Sequence, residues 1–365
     1  MSFVVLFIVE ILSKLCRSKK VFRTAFLVDE NNMNYVILYI KWNYNNFYFF
    51  YFIRRSKMIV TVSFNPAIDQ TIDVKNYEYA GVNRIENCEV DAGGKGINVA
   101  KNLKILGEEP TALGFIGGRT GQTFKEMISN LQIRNDFTYI YGETRINTKI
   151  VEEDGTITEF NAVGPEILQD RINELMIKID GYATENTLFV ISGKVPPGVD
   201  ANVFKNIIKL AHNRGSKVAV DSAGALFAKA VEEKPEIIKV KLKDIERVHE
   251  KENMNDEEIV EVVKKYINDG IKYVAISMGE RGAIFANSDE VFKCSFAKVK
   301  THSTVGASDA LLAGLVYGIE NRLEFEKTAK LATAMSVGAV MTIGTKPSSK
   351  EMIKKLYEDI NITKF

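Results

Sequence analysis

Two spacings of apolar residues alternate along most of the chain. Residues 58–64 are apolar and β-branched until Asn65-Pro66, which predicts a strand and a break. After Gly93-Gly94-Lys95-Gly96, residues Val99, Leu103 and Leu106 recur at helical spacing up to Gly107. That predicts a loop, a helix and a glycine stop. The same reading gives a strand at 111–116 and a helix at 121–131. Short strands of alternating polarity follow at 137–141, 148–152 and 156–161. Unbroken apolar strands at 188–192, 217–221, 236–239 and 273–277 are then separated by helices at 201–213, 223–232 and 256–269. Helices at 309–321, 325–341 and 349–357 complete the pattern. Strands apolar on both faces, with helices between them, predict an α/β fold with a mainly parallel central sheet flanked by helices. The polar strands at about 68–90 and 137–161 predict a small separate β-sheet, a lid.

The first 57 residues break this pattern. They hold 14 of the 36 aromatic residues and none of the 25 glycines or 7 prolines. They carry a net charge of +6, which leaves −5 for the remainder. A spanning helix needs roughly 20 mostly apolar residues. The run at 3–12 is too short and contains Glu10, and the run at 35–53 contains Lys41 and three asparagines. A signal peptide fails too, because no basic residue precedes the apolar run and no small-residue cleavage site follows it. Phe, Tyr, Ile, Asn and Lys are the residues of A/T-rich codons. Arg54-Arg55-Ser56 can be encoded as a ribosome-binding sequence just before Met58. The expectation is that 1–57 is upstream translation and that the native domain is 58–365.

The whole chain is ordinary in composition, with 48 basic against 47 acidic residues, and shows no electrostatic footprint for nucleic acid. Cys16, Cys88 and Cys294 are too few and too scattered for a disulfide framework or a zinc site, which points to a reducing cytoplasm. His212, His249 and His302 form no metal-binding pattern.

The candidate chemistry lies at loop-to-helix junctions. Asp91-Ala92-Gly93-Gly94-Lys95-Gly96-Ile97-Asn98 puts glycines, a cation and an amide before a helix N-terminus, where anions are favoured. A plain glycine turn is the alternative. Ser303-Thr304-Val305-Gly306-Ala307-Ser308-Asp309 is a second such junction. Asp309 there is either a helix cap or a general base beside an anion hole. Asp69 follows the first strand, where open α/β sheets bind ligands, or makes only a local turn. Arg145 suits a phosphate or a solvated strand edge. Ser277-Met278-Gly279-Glu280-Arg281-Gly282 is another glycine turn, which read alone is a hairpin.

Together and in this order, these motifs resemble the ribokinase-like, or PfkB, family of sugar kinases. Gly93-Gly94-Lys95-Gly96-Ile97-Asn98, Gly107 and Gly117 match its first signature, and Gly306-Ala307-Ser308-Asp309 its second. The resemblance covers residues 58 to about 345. Val82-Asn83-Arg84, Leu113-Gly114-Phe115-Ile116-Gly117-Gly118 and Thr144-Arg145-Ile146-Asn147 resemble stretches of its 1-phosphofructokinase branch, with tagatose-6-phosphate kinases similar over the same motifs. The resemblance implies ATP, Mg²⁺ and phosphorylation of fructose 1-phosphate at its 6-hydroxyl. It implies Asp309 as base and Gly306, Ala307 and Ser308 as the anion hole. Asp69, Gly93, Gly94 and Asn98 would hold the sugar, and Lys95 and Arg145 its phosphate. Lys239, Lys241, Ser277, Gly279, Glu280, Arg281 and Gly282 would line the nucleotide site, with Asp244 toward the metal. It also implies a homodimer through the lid. The chain departs from the family where Lys241 replaces an Asn, Asp244 a Glu, Ser308 a Gly and Ser303 an Asn. A degenerate kinase that binds sugar phosphate without efficient turnover is the reading these departures leave open.

Overall fold

Strand β1 (Phe22–Val28), β2 (Tyr35–Trp42) and β3 (Tyr48–Arg54) form a three-stranded antiparallel sheet in that order. They belong to the first of two compact units, Met1–Lys57, and the second is Met58–Phe365. The computed structural model describes residues 22–28, 35–42, 48–54, 57–302 and 304–365. The apolar run at 3–12 and Ser303 lie outside the described residues.

The second unit is built on an 11-stranded sheet. Its parallel part runs β15 (Tyr273–Ser277), β14 (Ile237–Lys241), β13 (Lys217–Asp221), β12 (Thr187–Ser192), β4 (Met58–Ser63), β7 (Thr111–Gly117) and the short β8 (Arg134–Asn135). Successive residues of these strands are buried on opposite faces. Leu188 and Val190 pack with Ala310, Leu312, Ala329 and Met335. Phe189 and Ile191 pack with Leu175, Phe204 and Ile207. Double-sided burial is why these strands read as continuous apolar runs. The first face carries α1 (Lys95–Leu106), α8 (Ala307–Glu320) and α9 (Phe325–Val340). Between α1 and α8 in the chain come α2 (Gly118–Asn130), α3 (Gln169–Tyr182), α4 (Asn202–Asn213), α5 (Gly224–Val231), α6 (Leu242–Val248) and α7 (Asp256–Asn268). The α8–α9 contact is close, since a Cβ on Gly314 would lie 2.6 Å from Ala332 Cα. Among the described residues no helix is long and apolar enough to cross a membrane.

The small sheet has the order β11 (Ile157–Asn161), β10 (Arg145–Glu152), β5 (Ala67–Val74) and β6 (Asn87–Gly93). Several features differ from the sequence pattern, among them a short helix at Leu242–Val248. The segment at 137–141 is not a lid strand: β9 (Thr138–Ile140) pairs with β7 at the edge of the main sheet, where Thr138 is fully buried. The main sheet also gains an antiparallel flank, β16 (Ala283–Ala286), β17 (Val291–Ser295) and β18 (Asn361–Lys364). These strands have only four or five residues each, too short for a periodicity to register. The helix at Gln169–Tyr182, which buries Ile172, Leu175 and Ile179 at helical spacing, is a further element absent from the sequence reading.

Candidate functional site

Every candidate element reaches the carboxyl ends of the parallel strands, the usual ligand edge of an open α/β sheet. Strand β4 ends at Ser63, and the chain turns through Asn65-Pro66 into the lid. The lid returns along β6 into α1. Glycine is required at this return. Gly94 has φ 106°, and a Cβ there would lie 2.9 Å from Pro66 Cα, while one on Gly93 would lie 2.0 Å from Asp69 Oδ2. Helix α8 starts after Gly306, whose φ is 86°. Ser308 stands inside that helix without a positive φ, so its Cβ carries no backbone strain.

Asp309 is buried in the first turn of α8, and its Oδ2 accepts a 2.8 Å hydrogen bond from Asn98 Nδ2 of α1. Its Oδ1 is buried with no protein partner. Burial pushes the Asp309 carboxyl above the usual range, with Asp221 adding to the shift and Lys95 opposing it. Asp221 ends β13. Its Oδ2 accepts from Lys95 Nζ at 3.0 Å and its Oδ1 from Lys239 Nζ at 3.3 Å. Burial would raise the Asp221 pKa, but Lys239 and Lys95 together hold it below the usual range. Lys239 pairs in register with Asp221 across β13 and β14, is fully buried, and also hydrogen-bonds Ser308 Oγ. Burial and the neighbouring Lys95 and Lys241 lower the Lys239 pKa to about 8, against the pull of Asp221.

A second group stands on the lid. Asn147 Nδ2 donates to Asp69 Oδ1 at 2.8 Å, in register across β10 and β5. Arg145 gives Nε and Nη2 to the Asn65 carbonyl and Nη1 to the Ala162 carbonyl. Lys101 joins the two groups: Asp69 and Asp309 both act on its buried ammonium, which donates to Ala92 O and Thr345 Oγ1.

The remaining sequence candidates lie further along the same edge. Ser277 and Gly279–Arg281 form the hairpin turn between β15 and β16, closed by Met278 N donating to Gly282 O at 2.8 Å. Arg281 is turned onto Met254 O and Asp256 rather than outward over the turn, and Glu280 is exposed. Lys241 is exposed at the end of β14. Asp244 meets Arg247 at 3.2 Å. Sequence reasoning missed Asp221, Asn147 and Lys101. Asp221 carried the same signal as Asp69, a carboxylate at the carboxyl end of an apolar strand. Asn147 lay inside the Thr144-Arg145-Ile146-Asn147 stretch that carries the resemblance but was given no role of its own, and Lys101 carried no signal.

The arrangement is a buried carboxylate beside a helix N-terminus, two ammonium groups on a neighbouring carboxylate, and a lid bearing polar side chains. That is suited to moving a charged group onto a hydroxyl. Known proteins agree. A 1-phosphofructokinase from Borreliella burgdorferi is 33% identical over 285 residues, covering 78% of this chain and 92% of that protein. One from Haemophilus influenzae is 31% identical over 306 residues, covering 84% and 98%. A solved structure of phosphofructokinase-2 from Escherichia coli in complex with substrates and products superposes with a TM-score of 0.79 at 25% identity, covering 82% of this chain and 98% of that one. Residues 62–352 match the pattern of the pfkB family carbohydrate kinases. The chain is a phosphotransferase and belongs to the pfkB family of carbohydrate kinases.

Proposed function

We propose that this kinase transfers the γ-phosphoryl group of ATP to the 6-hydroxyl of fructose 1-phosphate, giving fructose 1,6-bisphosphate and ADP. The observation that carries the reading is Asp309. One of its oxygens is fixed by Asn98 and the other is buried and unpartnered, at the N-terminus of α8. The unpartnered Oδ1 accepts the proton of the attacking hydroxyl, and its raised pKa suits that task. The N–H groups at Gly306, Ala307 and Ser308 receive the phosphoryl oxygens. Asp69, with Asn147 behind it, and Gly93, Gly94 and Asn98 face the sugar. The choice of acceptor is supported by the names of relatives about 30% identical.

Magnesium fits this donor set. It takes one or two carboxylates and completes its shell with phosphate oxygens and water. Asp244 acts on Lys95 and would supply such a carboxylate, whereas both oxygens of Asp221 are held by Lys95 and Lys239. When bound, the ion neutralises charge on the phosphates. Among the described residues no group of three or more His, Cys, Asp or Glu is placed to hold a metal ion by itself.

A homodimer through the lid belongs to the same reading. Val90, Ile146 and Phe160 expose apolar side chains on the small sheet. A cytoplasmic location, the compartment of ATP and sugar phosphates, belongs to it as well, and so does a native start at Met58, since all the residues named lie in Met58–Phe365. The test is a coupled ADP-release assay with ATP and Mg²⁺, comparing fructose 1-phosphate, tagatose 6-phosphate and fructose 6-phosphate. The expected result is the highest kcat/KM on fructose 1-phosphate. Binding of sugar phosphate with turnover on none would overturn the reading in favour of a binding protein.

A further inference from the structure

Helix α1 begins where the lid strand β6 ends, yet the Lys95 side chain leaves the lid. Its stem runs along Gly193, past the carboxyl end of β12, where an added Cβ would lie 3.5 Å from Lys95 Cβ. Its ammonium ends 3.0 Å from Asp221 Oδ2, on the next strand. Asp221, Asp309 and Asp244 all stabilise that charge, and together they outweigh burial and raise its pKa. Lys239 grips the other oxygen of Asp221 and reaches Ser308 in the first turn of α8. Two ammonium groups therefore converge on one carboxylate beside the base and the helix N-terminus. Asp69 and Arg145, on the sugar side, stand on the lid.

We propose that Lys95 acts on the phosphoryl group in flight, not on the phosphate the sugar already carries, and that Asp221 is the positioning residue holding Lys95 and Lys239 there. The inference rests on the phosphoryl-transfer reading above. In the transfer, the γ-phosphorus forms a bond to the acceptor oxygen as its bond to the bridging oxygen of ADP breaks. The hydroxyl proton passes to Asp309. Lys95 and Lys239 keep their protons, and their charges face the non-bridging oxygens, where negative charge is concentrated. Fixed charges in a buried site stabilise that state without reorganising. A lysine bound to the sugar's own phosphate would hold ground state and transition state alike and act on KM.

The test uses the full chain and the acceptor that the wild type uses best. Lys95→Met is expected to lower kcat by about 10²–10³-fold, the usual loss for one transition-state donor, with the acceptor KM little changed. Lys95→Gln carries the test if the Met variant fails to fold by thermal melt. Asp221→Asn is expected to lower kcat with the same unchanged KM, and Asp221→Glu to restore part of it. A rise of about tenfold or more in acceptor KM with kcat retained would place Lys95 on the sugar's phosphate and overturn the inference. Unchanged kcat and KM would remove Lys95 from the site and overturn it as well. A wild type that prefers an acceptor other than fructose 1-phosphate defeats only the choice of substrate, since the Lys95 comparison is then run on that acceptor. A wild type that transfers phosphoryl to no acceptor defeats the reading and this inference together.

Discussion

Asp309→Asn separates chemistry from stability at one residue. Asp309 presents one oxygen to Asn98 and keeps the other unpartnered and buried. An amide of the same shape keeps the Asn98 bond through its carbonyl oxygen and turns an NH₂ group toward the acceptor, where it cannot take a proton. A positioned general base contributes about 10²–10⁴ in rate. At 1.36 kcal/mol per tenfold, this is about 3–5 kcal/mol of lost transition-state stabilisation. Stability is expected to move the other way. Burial lifts the folded-state pKa of Asp309 above its unfolded value. The group's stabilising contribution is therefore present only below the unfolded pKa and is lost as pH rises through the folded one. Above the unfolded pKa this linkage opposes folding, so the neutral amide leaves Tm at pH 7 unchanged or higher, and the gain shrinks toward pH 4. The assays are ADP release for kcat and thermal melts at both pH values. A kcat within tenfold of wild type would refute the reasoning, and so would a kcat lost together with several degrees of Tm at pH 7.

Gly114→Ala should destabilise the site's framework by about 3 kcal/mol or more, because φ is 149° and the new Cβ would lie 2.0 Å from Ser63 O on the paired strand. An unchanged thermal melt would count against it. Turnover should fall as pH rises through about 8, when Lys239 loses its proton. Lys241→Asn removes one of the ammonium groups that push Lys239 down, so it should move that alkaline limb to higher pH, read from kcat between pH 6 and 10. A protein starting at Met58 should keep the kcat, KM and Tm of the full chain, because the core and every site residue lie in Met58–Phe365. A loss of folding on truncation would assign residues 1–57 a structural role.

The parts of the fold that were legible in sequence are those where one force dominates. Strands β12 to β15 are buried on both faces and read as apolar runs, and α1 carries an apolar stripe with glycines at both ends. Sites at helix starts were legible through the order in which the motifs follow one another, since each glycine or small-residue junction alone also fits a plain turn or cap. Asp309 and Asn98 were both singled out, yet their mutual hydrogen bond spans 211 positions and has no sequence signature. The same holds for the Lys95–Asp221–Lys239 chain. Two of its members were singled out for separate tasks, and the carboxylate joining them was passed over. Arg145 shows the converse limit. Its residue type suits phosphate, whereas in the fold three of its N–H groups are spent on the carbonyls of Asn65 and Ala162.

The most direct test of the central claim is the ³¹P NMR spectrum of the full chain turning over ATP and fructose 1-phosphate in the presence of Mg²⁺. The account predicts loss of the γ-phosphoryl resonance, growth of ADP, and two phosphomonoester resonances of equal intensity from one bisphosphate product. Release of inorganic phosphate with the single sugar-phosphate resonance unchanged, or ATP left intact, would contradict it.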